Sequence, residues 1–450
     1  MIPEKVLKLM RKFEESGADI YIVGGAVRDM ELGREVKDWD FTTNLTPEEM
    51  KKLFPKNSFY NNDFGTVGIV MGEDIFEVTT YRTEKGYSDK RHPDTVAWGK
   101  TVEEDLSRRD FTINALALRA ESTNLRINES RIIDLFGGKE DLKNRLIRTV
   151  GNPDERFGED ALRMLRAIRI ATQIGFLIEE KTFESIQKNA KTINKIAGER
   201  IREELFKTLM EKGASDGMKL LKNSGLLAEI MPELLEGVGM EQKGHHIYDV
   251  WTHSIEALKH TCSLDPITRL AAVLHDVGKP VVMKVINGER TFHNHEVVGS
   301  RIATRIGKRL KFSNEQLDQL FRLTRWHMFT VTEMQTDKAV RRFIRNVTVK
   351  YLDEMIALRR GDRLGSGAKE TSWRWEKFKE RLVEVQKQPF TVKDLKIDGH
   401  DVMEILNIKP SKKVGDILDE LFAQVEENPE LNEREKLIEM MLENAKVKSN

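Results

Sequence analysis

Apolar residues recur at helical spacing from Val6 to Glu15, which predicts an amphipathic helix. Ile20-Tyr21-Ile22-Val23 follows as an unbroken apolar run that stops at Gly24, the pattern of a buried strand entering a tight turn. Further strands are predicted over Asp40 to Thr43, Val67 to Met71 and Ile75 to Tyr81, with a helix after Pro47. Short strands interleaved with helices predict a mixed α/β or α+β head. From Glu159 the pattern turns almost wholly helical. Leu162, Leu165, Ile168 and Ile170 form the first stripe, and similar stripes recur to Asn450. Gly151-Asn152-Pro153, the segment Pro232 to Gly244, and Gly361 to Gly367 read as junctions. There is no internal repeat and no low-complexity tract.

Composition narrows the class. A chain of 450 residues implies two to four domains. Lys+Arg and Asp+Glu balance at 74 each, so any hold on nucleic acid must come from local basic faces, not from net charge. The single cysteine, Cys262, excludes a disulfide framework and fits a reducing, cytoplasmic setting. No signal-like apolar segment opens the chain, and no uncharged run is long enough to span a membrane.

The chemistry begins at Gly24-Gly25-Ala26-Val27-Arg28-Asp29, followed by Asp38-Trp39-Asp40. Glycines let backbone approach phosphates, and Arg28 can neutralise them. Residues two apart on a strand share a side, so Asp38 and Asp40 are expected to face one way and repel unless a cation lies between them. Hard oxygen donors suit Mg²⁺. The set reads as a site that holds a nucleoside triphosphate on metal and transfers its nucleotidyl group. An Asp-x-Asp pair alone is weak, because solvated strand ends supply it often. Its company strengthens it. In Arg108-Arg109-Asp110-Phe111-Thr112-Ile113-Asn114, two arginines and an acid precede an expected apolar helix, with Asp110 as its N-cap and Arg109 free to reach phosphates. In Glu159-Asp160-Ala161-Leu162-Arg163-Met164-Leu165-Arg166-Ala167-Ile168-Arg169, steps of three drift by about 60° on a helix. That puts Asp160, Arg163 and Arg166 on one winding face and turns Arg169 away. An Asp and an Arg can offer acceptors and donors to a base edge, although an i,i+3 surface pair explains the spacing equally well.

The series GGAVRD, DWD, RRDFTINAL and EDALRMLRAIR, in that order, resembles the class II tRNA nucleotidyltransferases, the CCA-adding family. Asp134-Leu135-Phe136-Gly137-Gly138 with Leu142, and Glu199-Arg200-Ile201-Arg202-Glu203-Glu204, are similar to later motifs of the same family. The resemblance implies an α+β chain: a polymerase-β-like nucleotidyltransferase head over 1–150, then an all-helical remainder. That remainder comprises a nucleotide-selecting, RNA-binding neck over 151–232, an HD-type domain over 233–367 and a tRNA-binding tail over 368–450. It implies addition of C, C and A to tRNA 3′ ends from CTP and ATP, with A-only addition or poly(A) synthesis as the alternative. Carried over, Asp38 and Asp40 hold Mg²⁺ and count with Asp110 as catalytic. Gly24, Gly25, Arg28 and Arg109 meet the triphosphate. Asp160 and Arg163 read the base, and Arg166 and Arg169 complete the nucleotide site. In the family, a loop in the place of Thr83 to Pro93 supports the switch to A, and its presence speaks against a CC-only enzyme.

A second constellation lies in the helical body. His275-Asp276 closes an apolar stretch, with His253 upstream, His295-Glu296 and His327 downstream, and Asp362 beyond. Together with Gly278-Lys279 this resembles the HD phosphohydrolase superfamily. The resemblance implies that His253, His275, Asp276 and Asp362, with His295 and His327 as further candidates, converge on one divalent metal of unspecified identity. It also implies hydrolysis of 2′,3′-cyclic phosphates or phosphomonoesters. His260 and His293 read as bystanders. Arg301, Arg305, Lys308, Arg309 and Lys311, and then Arg341, Arg342 and Arg345, are candidate faces for tRNA, with Phe343 and Ile344 pointing inward. Oligomeric state, monomer or dimer, is left open.

Overall fold

The structure is a computed structural model that describes residues 2–60, 65–85, 95–119, 132–242, 247–329, 336–369, 372–386 and 392–447. The chain divides into two compact units. The first is residues 1–236 with 309–312, and the second is 237–308 with 313–450.

In the first unit, helix α1 (Glu4–Glu15) buries Val6, Leu7, Leu9, Met10 and Phe13, the predicted stripe. Strand β1 (Ile20–Val23) is buried along its whole length. Gly24 turns the chain into α2 (Gly25–Glu31), and β2 (Asp40–Thr43), α3 (Pro47–Leu53), β3 (Ser58–Tyr60), β4 (Thr66–Met71) and β5 (Asp74–Thr80) follow. A hairpin of β6 (Arg82–Lys85) and β7 (Thr95–Trp98) leads to α4 (Val102–Ser107), β8 (Leu116–Leu118) and β9 (Ile132–Asp134). The central sheet is seven-stranded and mixed, in the order β3-β4-β5-β2-β1-β8-β9. β1 runs antiparallel to β2, with Val23 opposite Asp40, while β2 runs parallel to β5, with Asp40 beside Glu77. That register brings the glycine turn and the acid together.

Three expectations change here. The segment after Arg109 is not an apolar helix capped by Asp110. A 3₁₀ turn at Thr112–Asn114, with Phe111 at its N-cap position, leads directly into β8. Residues Phe111 to Leu118 are all buried, and an apolar run buried on every side has no periodicity to tell strand from helix. Asp38 lies just before β2, which starts at Asp40, so the two acids do not share a strand. Asp160 lies outside a helix as well. It ends α6 (Pro153–Glu159) in an extended conformation, and α7 (Leu162–Ile174) begins after Ala161.

Asp134 secures the end of the sheet. Its carboxylate accepts the backbone N–H groups of Gly138 (2.8 Å) and Lys139 (2.9 Å) at the start of α5 (Gly138–Asn144). A Cβ on Gly138 would stand 2.3 Å from the Thr112 carbonyl oxygen, so only glycine allows this approach. Short strands β10 (Leu146–Ile147) and β11 (Leu177–Ile178), then α8 (Glu180–Asn189), α9 (Gly198–Met210), α10 (Ala214–Asn223) and α11 (Leu226–Ile230), complete the unit.

The second unit is helical apart from one small hairpin. Its helices are α12 (Val250–His260), α13 (Pro266–Leu274), α14 (Lys279–Val282), α15 (His295–Arg309), α16 (Asn314–Trp326), α17 (Asp337–Val347), α18 (Leu352–Gly365), α19 (Trp373–Val385), α20 (Gly399–Leu406), α21 (Lys412–Glu427) and α22 (Arg434–Val447). The hairpin pairs β12 (Lys284–Ile286) with β13 (Glu289–Thr291) across Asn287-Gly288, both at positive φ as a tight two-residue turn requires. Gly361 and Gly365 are not a linker. They lie within α18, where a Cβ would stand 2.0 Å from Thr261 Oγ1 and 2.6 Å from the Ala257 nitrogen of the α12 region, so they let two helices touch. The last three helices enclose a core of their own around Val402, Leu421, Phe422, Val425 and Leu437. Among the described residues, no helix is long and apolar enough to cross a membrane.

Candidate active site and metal centre

Gly24 has a φ of +71°, and a Cβ there would lie 3.0 Å from Arg109 Nη1 and 3.7 Å from Asp40 Oδ2. The bare turn therefore lets an arginine and an acid meet over it. Arg28, buried on α2, donates from Nε to Asp29 Oδ1 (2.9 Å) and from Nη1 to Asn114 Oδ1 (3.0 Å). Asn114 donates in turn to Asp110 (3.3 Å). Asp110 accepts from the Phe111 N–H (2.9 Å) and from Arg166 Nε (2.8 Å) on α7. Burial pushes the Asp110 carboxyl up, but Arg166, by charge and by hydrogen bond, overcomes it and holds the group at about 2. Asp110 raises Arg166 in return. One network thus ties the glycine turn to the helix.

Beside it opens a cavity of about 650 Å³, onto which Gly25, Arg28, Asp38, Asp40, Arg166 and Arg169 all face. Arg169, which helical projection turned away, belongs to this lining and donates to Glu204 of α9 (2.6 Å). Asp110 stands behind the cavity as the partner of Arg166. Arg109 is held at the turn by buried Asp105, which accepts from it (3.1 Å) and from Arg108 (2.6 Å). Asp160 and Arg163 are not on the lining, and they do not pair with each other. Asp160 accepts from Arg200 (2.9 Å) and from the Leu162 N–H (3.0 Å), while Arg163 ion-pairs with Glu159 and donates to the Arg108 carbonyl (3.3 Å).

Protein packed around Asp40 raises its carboxyl above the ordinary range. Arg109 opposes this, while Glu77 and Asp38 add to it. Asp38, Asp40 and Glu77 offer only hard oxygen donors, a set that fits Mg²⁺. Glu77 was missing from the sequence reading, although an acid between buried Phe76 and Val78 on a strand was its signal. Asn114 and Asp105 were missed too, since only the fold shows how they hold Arg28 and Arg109. Residues 86–93, most of the segment Thr83 to Pro93 expected to support a change of nucleotide, lie outside the described residues.

In the second unit, α12 supplies His253, the end of α13 supplies His275 and Asp276, the start of α15 supplies His295, the end of α16 supplies His327, and α18 supplies Asp362. All six are buried. His253, His275, Asp276 and Asp362 come together, with His253 3.0 Å from His275 and His275 3.8 Å from Asp362. His253, His275 and Asp276 form one group able to hold a metal, and Asp276, His295 and His327 form another that shares Asp276. Asp276 faces both: Oδ2 lies 3.2 Å from His275 Nε2, and Oδ1 lies 3.2 Å from His295 Nε2. Asp362 stands 3.2 Å from His253. His275, His295 and His327 each set Nδ1 within 2.8–2.9 Å of a backbone carbonyl, which turns Nε2 inward. Burial and the nearby His275 hold His327 neutral, down at about 3. Burial would raise Asp276, but His275 and Lys279 keep it well below the usual range. Burial would lower His275, but the neighbouring Asp276 raises it above the usual range. A neutral His327 and an ionised Asp276 are states that metals bind.

Lys279 donates to Asp276 (2.6 Å) and Gln242 (2.5 Å). With Arg290 and Phe292 it lines a cavity of about 470 Å³ that reaches His295, and His293 is on that lining, not remote from it. Of the basic clusters, Arg301, Arg305 and Lys308 are exposed on α15. Arg341 is buried and donates to the Glu426 carbonyl (2.6 Å), and Arg345 pairs with Glu426 (2.8 Å), so these two act in packing. Phe343 and Ile344 point inward as expected.

Three families match this chain: "Poly A polymerase head domain" over residues 20–148, "Probable RNA and SrmB- binding site of polymerase A" over 175–237, and "HD domain" over 250–358. The CCA-adding enzyme of Lactobacillus helveticus is 48% identical over 203 residues, 45% of this chain and 49% of the relative. That of Geobacillus kaustophilus is 43% identical over 225 residues, 50% and 54%. The chain thus spans about half the length of the curated relatives it matches. The crystal structure of the Bacillus stearothermophilus CCA-adding enzyme in complex with CTP aligns over 100% of this chain and 99% of its own, with a TM-score of 0.73 and 28% identity. The Thermotoga maritima CCA-adding enzyme complexed with tRNA shares the fold at a TM-score of 0.57 and 21% identity, over 99% and 96%. The chain carries a poly A polymerase head domain, an RNA-binding segment and an HD domain in that order, and over its whole length it is similar to a CCA-adding enzyme of known structure.

Proposed function

We propose that the chain adds C, C and then A to the 3′ ends of tRNA, drawing on CTP and ATP without a nucleic-acid template. The observation that carries this reading is the head cavity, where acids and arginines that are far apart in sequence face one space. Asp38 and Asp40 hold Mg²⁺, with Glu77 beside them. Bound there, Mg²⁺ neutralises phosphate charge and activates the attacking hydroxyl. The backbone of Gly24 and Gly25, with Arg28 and Arg109, receives the triphosphate. Arg28 is already fixed by Asp29 and Asn114, so little ordering is left for binding. Arg166 and Arg169 complete the nucleotide site, and Asp110 acts by holding Arg166. Asp160 and Arg163 read the base edge, which requires them to exchange Arg200 and Glu159 for the nucleotide. In this reading residues 1–150 are the catalytic head, 151–232 select the nucleotide, and 368–450 contact tRNA in the cytoplasm.

The test uses tRNA transcripts ending before CCA, after C and after CC, with labelled CTP and ATP and Mg²⁺. Growth of three, two and one nucleotides is the expected result. A long A ladder, or addition of A alone, overturns it in favour of the poly(A) or A-adding alternative.

We further infer a metal-dependent phosphohydrolase in residues 233–367. The paired groups that share Asp276 favour this activity, since metals held there activate water for attack on a phosphate ester.

A further inference from the structure

Within the second unit lies another cavity, of about 520 Å³, whose lining residue Arg359 reaches Asp362. Arg359, Arg363 and Arg374 face it together with Phe329, Trp373 and Trp375. Among the described residues that line it there is no carboxylate. Of the three, Arg359 is ion-paired with Asp362, which is not on the lining, and Arg363 faces the same space one helical turn on. Two of them also have unused donors. Arg359 gives Nη1 to Asp362 (2.8 Å) and Arg363 gives Nη2 to the Lys369 carbonyl (3.1 Å), yet the Nε of each is buried without a hydrogen-bond partner. A phosphate in the space would accept from the Nη groups of these guanidiniums.

The other half of the wall is flat and aromatic. Trp375 is 4% exposed and stacks on Phe378 at an interplanar angle of 20°, with Phe329 tilted 36° from Trp375. Trp373, at the start of α19, is 61% exposed, and Arg374 lies over its ring at 5.2 Å. An indole left open beside guanidinium planes is a stacking surface for another flat ring. Flat ring and phosphate together describe a nucleotide, whereas an acidic peptide would leave the indoles without purpose.

The place of the cavity gives it a task. Arg359 holds Asp362, which stands 3.2 Å from His253, and Met328 lies on the lining both of this cavity and of the one that reaches His295. We propose that this cavity is a nucleotide subsite, with the base on Trp373 and the phosphate on Arg359 and Arg363. The ester presented to the Asp276 centre then belongs to a nucleotide unit. The last step rests on the phosphohydrolase reading, whereas the subsite itself does not.

The test is photocrosslinking of a 4-thiouridine trinucleotide to the full chain, mapped by mass spectrometry, with unlabelled trinucleotide or CMP as competitor. Crosslinks at Trp373 or Trp375 are expected, falling at least about tenfold in Arg363→Ala, in line with losses seen when base or phosphate contacts are removed. Competition by CMP marks a free nucleotide as ligand, and competition by the trinucleotide alone marks a strand end. Both agree with the proposal. In parallel, the KM for a trinucleotide ending in a 2′,3′-cyclic phosphate should rise about tenfold in Arg363→Ala while kcat stays within about twofold. Absence of crosslinks from both tryptophans, or crosslinks unchanged by Arg363→Ala, overturns the subsite. Failure of the unaltered chain to hydrolyse any ester overturns the phosphohydrolase reading instead, and the crosslinks still decide on the cavity.

Discussion

The head cavity and the metal centre of the second unit both rest on carboxylates, but they are built in opposite ways. In the head, Asp38 and Asp40 line an open cavity and the cationic partners are fixed from behind: Arg28 by Asp29 and Asn114, Arg109 by Asp105, Arg166 by Asp110. In the second unit every candidate ligand is buried, and three imidazoles are oriented by backbone carbonyls. The contrast fits two kinds of cargo. A nucleoside triphosphate is large and brings its own charge, so the protein leaves space and prepares the countercharge. A resident metal is small, and its ligands can be packed in advance.

That contrast can be broken most forcefully by exchanging losses. Asp40→Ala should reduce addition of both C and A by at least about 1,000-fold while phosphate-ester hydrolysis is untouched, and Asp276→Ala should do the reverse. Product lengths on tRNA transcripts and release of phosphate, measured on the same preparations, check this. Loss of both activities in either variant would mean the two sites are not independent.

The next largest effect concerns stability. Arg166→Met leaves Asp110 buried with only neutral donors, at a cost of about 3 kcal/mol, the low end for such a loss because one edge of Arg166 is open to solvent. Denaturant unfolding of the first unit measures it. An Asp110→Asn, Arg166→Met double variant should recover part of the loss, and no recovery would show that the pair is not coupled.

The smallest effect is a pH dependence. Asp110 moves from 3.8 to about 2 on folding, so its contribution is complete above about pH 4 and disappears as the pH falls toward 2. A shift of that size corresponds to about 2 kcal/mol. Acid titration of unfolding should show this window in the unaltered chain and a flatter curve in Asp110→Asn.

Legibility in the sequence followed physical rules. The β1 strand, its glycine stop and α1 were readable because one apolar run and one 3.6-residue stripe determined them locally. The six candidate ligands of the second unit were readable because histidines on apolar helices are conspicuous by type, but the sharing of Asp276 between two triads was not, since it depends on which Asp276 oxygen each imidazole meets. β8 was misread as helix because it is buried on every side. Asp160 was placed on a helix because the break at Asp160-Ala161 contains neither glycine nor proline. Glu77 stood out in the sequence as an acid within an apolar strand, but only the parallel register that sets it beside Asp40 gives it a place in the site.

Asn114 uses both ends of its amide: the oxygen receives Arg28 and the nitrogen reaches Asp110. No other side chain of that length presents an acceptor and a donor on one flat group. Aspartate would set a second negative charge against Asp110, and leucine would strip hydrogen bonds from two charged residues at once. Attempts to retarget this head to other nucleotides should therefore vary the cavity rim and leave position 114 alone. It is a hinge pin between two elements, and altering it would shift Arg28 directly and Arg166 through Asp110.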